Sequence, residues 1–350
     1  MTVTAGKLWS LRRLADPDGF FTMIAVDQRP GVEALIRQRQ TERPGDPRLA
    51  ADTWENVGRL KRLLIEELSP HASAMLLDPH YAYPYAADAL DPRRGLLVTL
   101  EQFASDDGPG GRRTLPYPGW SVEKIKRLGA DGVKLMLWWR PDAAADVLAH
   151  QRRLVEQVGA ECRRHDIAFL LEPLVYPLGE AATADSYHED PAKRPEMVIA
   201  TVEEFRHERY GVDIFKLETP LPAPGIADPD SGTPEAEAAQ LWFNRIDALL
   251  DRPWVMLSAG AAAEPFRRIL TYAFRAGASG YLAGRAIWWP AALEVPDWER
   301  FRARVRAEGV PYIASVGETL RRHGTPWHRR PLFQGSPRMT AMGPHFVSEY

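Results

Sequence analysis

Three apolar stretches of this 350-residue sequence each contain one ionisable residue, where a buried strand is expected to contain none. Two of the stretches contain a lysine, Lys134 and Lys216, and the third ends in a carboxylate, Glu172. A charged side chain inside a strand covered on both faces is strongly destabilising unless a partner or a reaction keeps it there. Two such lysines and a carboxylate on neighbouring strands therefore predict an amine-based active site.

Imine formation with a carbonyl substrate is the chemistry that such a lysine can perform. A lysine with its ordinary pKa is almost entirely protonated at neutral pH, and desolvation or a second nearby cation favours the nucleophilic neutral amine. We therefore expect one of the two lysines to be the nucleophile and the other to be the cation beside it. Glu172 would transfer protons, and Asp27 would hold or protonate a substrate hydroxyl. The alternative is a buried ion-pair network of these four residues with no catalytic role.

The elements that must position these residues alternate along the whole chain. Helix-length amphipathic segments separate eight short apolar runs, which predict strands at residues 20–26, 72–77, 95–100, 132–137, 167–172, 212–217, 254–257 and 279–283. This repeating order predicts an α/β fold of parallel strands, and eight units close into a (β/α)8 TIM barrel. Catalytic groups of such barrels lie at the carboxyl ends of the strands. The four candidate residues all fall near that end.

Three segments depart from a minimal barrel. The first βα unit is long enough for an extra helix at residues 31–40, and the Pro- and Gly-rich loop 223–233 is of the kind that forms lids or binding loops. The periodic pattern ends at His323. The sequence therefore predicts one barrel domain, residues 1–323, followed by an extended tail, residues 324–350.

The seventh and eighth predicted strands are followed by residues suited to an anion. Ser258, Ala259 and Gly260 follow strand seven, and Gly284 and Arg285 follow strand eight. Small residues at these two positions, with helix N-termini behind them, form the usual phosphate site of barrel enzymes. Backbone N–H groups, the serine hydroxyl and a bidentate arginine would hold the phosphate.

Bulk composition narrows the class of protein. A net charge of -3 and a pI near 6.3 argue against a nucleic-acid surface, and no apolar run is long enough to span a membrane. The single cysteine, Cys162, and the absence of a secretory signal pattern predict a cytoplasmic location. No histidine triad follows the strands, which argues against a zinc site, so we expect neither a metal nor a cofactor.

Motifs at seven of the predicted strands carry a resemblance to a known family. They read AVDQR (25–29), AMLLD (74–78), GVK (132–134), LEP (171–173), FKLE (215–218), LSAG (257–260) and GR (284–285). In this order they resemble the class I aldolase family that contains tagatose bisphosphate aldolase and sulfofructosephosphate aldolase. The resemblance implies that Lys216 is the Schiff-base lysine and Glu172 the proton-transferring carboxylate. It implies further that Asp27, Gln28 and Lys134 are polar groups around the substrate, and that Ser258, Gly260, Gly284 and Arg285 form the phosphate site. From their positions in the sequence we add Arg29 and Ala259 as substrate-binding candidates.

The expected reaction is cleavage of a phosphorylated ketose into dihydroxyacetone phosphate and an aldehyde. The group at the far end of the substrate is a phosphate, a sulfonate or an uncharged group. Arg29 and Arg140 are the nearest additional cations that could contact it. Family members often form homo-oligomers, so we expect self-association. The alternatives are a non-catalytic phosphosugar-binding regulator, and an isomerase or epimerase that uses Glu172 and Asp27 as acid and base.

Overall fold

A computed structural model of the chain describes residues 3–108, 110–177, 195–333, 339 and 343–350. Ten strands occur in these ranges: β1 Phe21–Ala25, β2 Ala74–Leu77, β3 Gly95–Thr99, β4 Glu101–Gly108, β5 Gly111–Pro116, β6 Gly132–Trp138, β7 Ala168–Leu174, β8 Ile214–Leu217, β9 Trp254–Met256 and β10 Gly280–Ala283. Eight of them form a closed parallel barrel in the order β1-β10-β9-β8-β7-β6-β3-β2. The predicted (β/α)8 barrel is therefore confirmed.

Helices connect the barrel strands. The described helices are α1 Ala5–Leu14, α2 Pro30–Glu42, α3 Thr53–Leu68, α4 Ala82–Ala86, α5 Val122–Arg127, α6 Ala145–Arg164, α7 Pro195–Phe205, α8 Pro234–Leu249, α9 Ala263–Ala276, α10 Arg285–Ala292, α11 Trp298–Arg304, α12 Val310–His323 and α13 Phe346–Glu349. The extra helix of the first unit is α2, which is followed by α3 after a short connection. Within the described ranges, no helix has the length and apolar character needed to cross a membrane.

Alternation along the barrel strands separates the two faces. On β6, the side chains of Val133, Leu135 and Leu137 join the apolar layer between barrel and helices, and Lys134 and Met136 point into the barrel. Successive side chains of a strand point to opposite faces. A shift of one residue in the register of β6 would therefore exchange the side chains that point into the barrel with those that point to the helices. Strand β6 pairs with β7 over its full length, and Met136 lies beside Glu172 in that register.

The amino-terminal end of the barrel is closed by segments that the sequence analysis did not assign. Leu11 and Leu14 of α1 pack with inward-facing residues of the barrel strands in a separate apolar cluster. Trp327 and Phe333 from the start of the predicted tail join the same cluster and are almost fully buried. The start of the predicted tail therefore packs against the barrel. Residues 334–338 and 340–342 lie outside the described ranges.

Two further features differ from the expectation. Strands β4 and β5 form an antiparallel hairpin at the carboxyl end of β3, which was not predicted. The loop 223–233, expected to be a lid or binding loop, instead packs against α9. Tyr272 donates a hydrogen bond to the carbonyl of Ala227, and Arg268 donates one to that of Ile226. These contacts hold the loop on the outer helical layer.

Candidate active site

A pocket lies at the carboxyl end of the barrel and extends into its interior. Its empty volume is about 630 Å³, including the part that is open to solvent. Its described lining contains Ala25, Asp27, Gln28, Arg29, Glu101, Phe103, Lys134, Met136, Glu172, Leu174, Lys216, Leu257, Ser258, Ala259, Leu282, Gly284 and Arg285. The fold thus brings ten of the eleven candidate residues to one cavity, and the eleventh, Gly260, lies directly behind it.

A chain of ion pairs crosses the pocket floor. Glu172 lies between the two lysines, with Oε1 2.8 Å from Lys216 Nζ and Oε2 2.8 Å from Lys134 Nζ. All three side chains are more than nine-tenths buried. Strands β6, β7 and β8 are neighbours in the barrel, and each contributes one of the three residues. The arrangement allows a proton to pass between Lys216 and Glu172 without an intervening group.

Lys134 is surrounded by carboxylates. Its Nζ lies 2.8 Å from Glu101 Oε1 and 3.2 Å from Asp27 Oδ2, in addition to the contact with Glu172. Burial disfavours the ammonium form, but the charges of Glu101, Glu172 and Asp27 outweigh it and raise the pKa of Lys134 above its ordinary value. These charges favour the ammonium form of Lys134.

Asp27 is ionised throughout the neutral range. Burial raises its pKa, but the charges of Lys134 and Lys216 outweigh burial and bring the pKa down to about 2. The sequence analysis left two roles open for this residue, holding or protonating a substrate hydroxyl. A carboxylate with so low a pKa accepts a hydrogen bond from a hydroxyl and does not protonate it, so the geometry favours the first role.

This low pKa predicts how stability depends on pH. Asp27 has a pKa of about 2 in the folded protein against an ordinary value of 3.8, so its contribution to stability is present above pH 3.8 and lost as the pH falls towards 2. In urea unfolding measured between pH 4 and 2, the wild type should therefore lose more free energy of unfolding than Asp27→Asn. Asp106→Asn is the control, because the side chain of Asp106 is 62% exposed. Its free energy of unfolding should fall with pH as that of the wild type does. Parallel curves for wild type and Asp27→Asn would contradict the assignment.

Glu101 is the charged residue of the site that the sequence analysis missed. It begins β4 and is 2% exposed, and its Oε2 accepts a hydrogen bond of 3.0 Å from the backbone N–H of Met136. Burial outweighs the attraction of Lys134 and Arg29 and raises the pKa of Glu101. A signal was present, because the residue directly follows the third apolar run. The four catalytic candidates predicted from the sequence lie near strands one, four, five and six.

The loop after β9 has an unusual backbone. Ala259 and Gly260 adopt positive φ angles of 48° and 82° in succession, and Ser258 precedes them on the pocket wall. A left-handed conformation is unfavourable for alanine, and such strain concentrates at functional sites. Helix α9 begins four residues after Ala259 and has no side-chain cap, so its first N–H groups are not bonded by a capping side chain. This is the backbone arrangement that binds anions.

The residues after β10 complete the same corner. Gly284 caps α10, and a Cβ at this position would lie 2.5 Å from the carbonyl oxygen of Ala25, so only glycine fits. Arg285 begins the helix and lines the pocket. A Cβ on Gly260 would lie 3.4 Å from the guanidinium of Arg285, which shows that the two loops meet here. The predicted anion-binding residues thus form one compact corner.

The remaining polar candidates follow β1, the strand that pairs with β10. Arg29 is 7% exposed and donates a 3.0 Å hydrogen bond to the backbone carbonyl of Glu101. Within the described residues, Arg29 Nε and Gln28 Oε1 are buried and have no hydrogen-bond partner. Buried polar atoms without partners are rare in proteins, and both residues line the pocket. They are therefore suited to contact polar groups of a substrate.

Arg140, the other additional cation expected from the sequence, is engaged elsewhere. It donates a hydrogen bond to the carbonyl of Tyr176 and forms an ion pair with Asp142.

An apolar rim surrounds the entrance above the charged residues. Met136 lies two residues after Lys134 on β6, and Leu174 lies two residues after Glu172 on β7, so both point into the pocket. Leu257, directly after β9, and Phe103 of the hairpin pack in the same apolar cluster. Apolar side chains at the entrance limit the access of water to the lysines below.

Residues 178–194, which follow β7, lie outside the described ranges. Among the residues that are described, no group of three or more His, Cys, Asp or Glu is arranged to hold a metal ion.

A family model described as "DeoC/LacD family aldolase" matches residues 22–289, which include the whole barrel and the site. The chain belongs to the DeoC/LacD aldolase family. It is therefore an enzyme, a carbon–carbon lyase, and this membership rules against the non-catalytic regulator.

Sequence relatives extend the similarity beyond the barrel. Tagatose 1,6-diphosphate aldolase 1 of Streptococcus mutans is 33% identical over 337 residues, covering 94% of this chain and 100% of the relative. Tagatose 1,6-diphosphate aldolase of Staphylococcus haemolyticus is 33% identical over 335 residues, covering 93% of this chain and 99% of the relative. The aldolase described here therefore aligns with these enzymes over almost their full lengths.

Solved structures support the fold. Fructose-bisphosphate aldolase from Plasmodium falciparum superposes with a TM-score of 0.64 at 12% identity, covering 93% of this chain and 98% of that one. An archaeal fructose 1,6-bisphosphate aldolase superposes with a TM-score of 0.50 at 15% identity, covering 85% and 98%. At such low identity these similarities establish the barrel and not the substrate.

Proposed function

We propose that this aldolase cleaves a phosphorylated ketose to dihydroxyacetone phosphate and an aldehyde through a Schiff base on Lys216. The observation that carries the proposal is the direct contact of 2.8 Å between Lys216 Nζ and Glu172 Oε1 on a buried pocket floor. A nucleophilic lysine needs a neighbouring group that removes its proton, and Glu172 is in hydrogen-bond reach. The role of Lys134 is to hold positive charge close to this pair.

The proposed reaction passes through a carbinolamine, an iminium and an enamine on Lys216. Lys216 transfers its proton to Glu172, adds to the ketone carbon C2 and forms a carbinolamine. Glu172 returns that proton as the carbinolamine loses its hydroxyl group as water and becomes the iminium. Glu172, again a carboxylate, takes the proton of the C4 hydroxyl as the C3–C4 bond breaks and the aldehyde departs. The bonding electrons move to the iminium nitrogen, giving an enamine. Protonation at C3 and hydrolysis of the imine then release dihydroxyacetone phosphate and the free amine.

The proposed substrate orientation follows from the anion corner after β9 and β10. The phosphate of the dihydroxyacetone half binds the corner formed by Ser258, Ala259 and Arg285, next to Lys216. Asp27 accepts a hydrogen bond from a substrate hydroxyl, and Gln28 and Arg29 contact other polar groups of the substrate. The relatives named as tagatose 1,6-diphosphate aldolases favour tagatose 1,6-diphosphate over sulfofructose phosphate as the first substrate to test. Homo-oligomeric assembly and a cytoplasmic location stay predictions from the sequence.

Borohydride trapping tests the proposed intermediate. Incubation of the wild type with dihydroxyacetone phosphate and borohydride should give a stable secondary-amine adduct on Lys216, which peptide mass spectrometry locates. Turnover of tagatose 1,6-diphosphate should be insensitive to a metal chelator in the same preparation. An adduct on Lys134, or on a lysine outside the pocket, would overturn the assignment. Turnover without any adduct would favour acid–base chemistry by Glu172 and Asp27 instead.

A further inference from the structure

The register between β7 and β8 ends directly before the two proposed catalytic residues. Its last pair is Leu171 with Phe215. Glu172 and Lys216 follow, and their side chains are in contact at 2.8 Å. By contrast, β6 and β7 stay paired as far as Leu174. The sheet therefore loses its backbone pairing between the two strands that carry this contact.

Pro173 accounts for the end of this pairing. Phe169 of β7 donates its backbone N–H to Asp213 Oδ2 at 2.8 Å, directly before β8. Val175 donates its N–H to Glu218 Oε1 at 2.7 Å, directly after β8. Alternate backbone N–H groups of a strand face the same neighbouring strand, so the N–H of residue 173 would face β8 as well. Proline has no N–H, and this backbone hydrogen bond cannot form.

Glu218 joins the two strands again with its side chain. Its residue is 2% exposed, and it lies two positions after Lys216. Among the residues that the structure describes, its bond to Val175 is the one hydrogen bond between the segments that follow Glu172 and Lys216. The catalytic contact therefore lies between the backbone pairing on one side and this side-chain hydrogen bond on the other.

We propose that Glu218 is a positioning residue that sets the separation between Glu172 and Lys216. The role rests on the proposed function, in which Lys216 transfers its proton to Glu172 before it attacks the ketone. Strand β7 is paired with β6, and β8 is paired with β9, so each catalytic residue belongs to a different pair of strands. The bond from Val175 to Glu218 holds these two pairs together at the catalytic end. A misplacement of about 1 Å can cost about 100-fold in rate.

Two substitutions separate the reach of Glu218 from its charge. Glu218→Gln keeps the length, and its amide oxygen accepts from the N–H of Val175. Glu218→Asp keeps the charge but withdraws the acceptor by one carbon–carbon bond, roughly 1.5 Å. We measure imine formation with dihydroxyacetone phosphate by rapid mixing and quenching with borohydride at increasing times. Its rate should fall by about 10- to 100-fold in Glu218→Asp and stay within about threefold of the wild type in Glu218→Gln.

Asp213→Ala is the matched control at the other end of β8. It also removes a carboxylate that accepts a backbone N–H of β7, and it leaves Lys7 without its ion-pair partner. This variant should have a lower melting temperature than the wild type but should form the imine at the wild-type rate. Equal slowing in Asp213→Ala and Glu218→Asp would overturn the positioning role, because any loosening of β8 would then have the same effect.

The trapped fraction distinguishes a positioning residue from a structural one. In Glu218→Asp the rate should fall, but the final fraction of trapped chains should match the wild type. A smaller final fraction at the wild-type rate would indicate partial unfolding and would overturn the role. Slowing in Glu218→Gln as large as in Glu218→Asp would overturn it too, because the charge and not the hydrogen bond would then matter.

The wild type separates this role from the proposed function. A wild-type adduct on Lys216 together with an unchanged rate in Glu218→Asp would overturn the positioning role alone. Absence of an adduct from the wild type would refute the Schiff-base proposal, and the role of Glu218 with it.

Discussion

Lys216→Met should abolish ketose cleavage while leaving the protein folded. Methionine has a similar length and an apolar side chain, so it fills the space on β8 but cannot form an imine. Removal of a covalent nucleophile costs several orders of magnitude, and we expect kcat for cleavage of tagatose 1,6-diphosphate to fall by at least about 10⁴-fold. Glu172 keeps Lys134 as a partner in this variant, so the melting temperature should change little. Stopped assays over hours, with borohydride trapping in parallel, measure both losses.

A lysine at the opposite end of the barrel provides the matched control. Lys7 is 6% exposed and pairs with Asp213 at 2.7 Å, so Lys7→Met also removes a buried cation from an ion pair. This variant should be less stable than the wild type but should retain cleavage and the adduct on Lys216. Cleavage by Lys216→Met within tenfold of the wild type would exclude the covalent mechanism, provided that mass spectrometry confirms the substitution.

The site lysines were predictable because their signal is local. Lys134, Glu172 and Lys216 each interrupt an apolar run, and such an interruption is visible without knowledge of the fold. Period-2 alternation then predicts that Lys216 points inward and Phe215 outward, as the structure shows. The barrel was equally accessible, since eight apolar runs separated by helices leave few other topologies.

The hairpin was not predictable, because its stability depends on distant residues. Its first strand contains adjacent acidic residues and lacks apolar alternation, so nothing local favours a strand. Gln151 of α6, which is fully buried, accepts from the N–H of Thr114 and donates to the carbonyl of Arg112, and these bonds fix β5. Helix α1 is similar, since Asp166 accepts from the N–H of Gly6 across 160 residues of sequence. Glu101 directly follows an apolar run, but its contact with Lys134 becomes visible only when β4 lies beside β6.

The charge balance around Lys134 predicts the largest effect on stability. Lys134→Met would leave Asp27, Glu101 and Glu172 close together with their shared cation removed. Breaking a buried ion pair from one side costs about 3–5 kcal/mol, because the remaining charge is desolvated and unpaired. We expect at least this loss in the free energy of unfolding at pH 7, measured by urea denaturation. The gap to the wild type should narrow as the pH falls, because protonation removes the unpaired negative charges.

Lys61→Met is the control that separates the effect of three unpaired carboxylates from the effect of losing a buried lysine. Lys61 is 1% exposed and pairs with Asp78, so the substitution and the burial are matched to those of Lys134. Asp78 also accepts backbone hydrogen bonds from His80 and Tyr81, at 3.0 and 2.7 Å, and these remain when the lysine is removed. Lys61→Met should therefore cost less than Lys134→Met. If the two variants lost equal free energy of unfolding, and if this loss did not vary with pH, the charge explanation would be wrong. Packing of the lysine side chains, and not the balance of one ammonium against three carboxylates, would then determine the stability of the pocket floor.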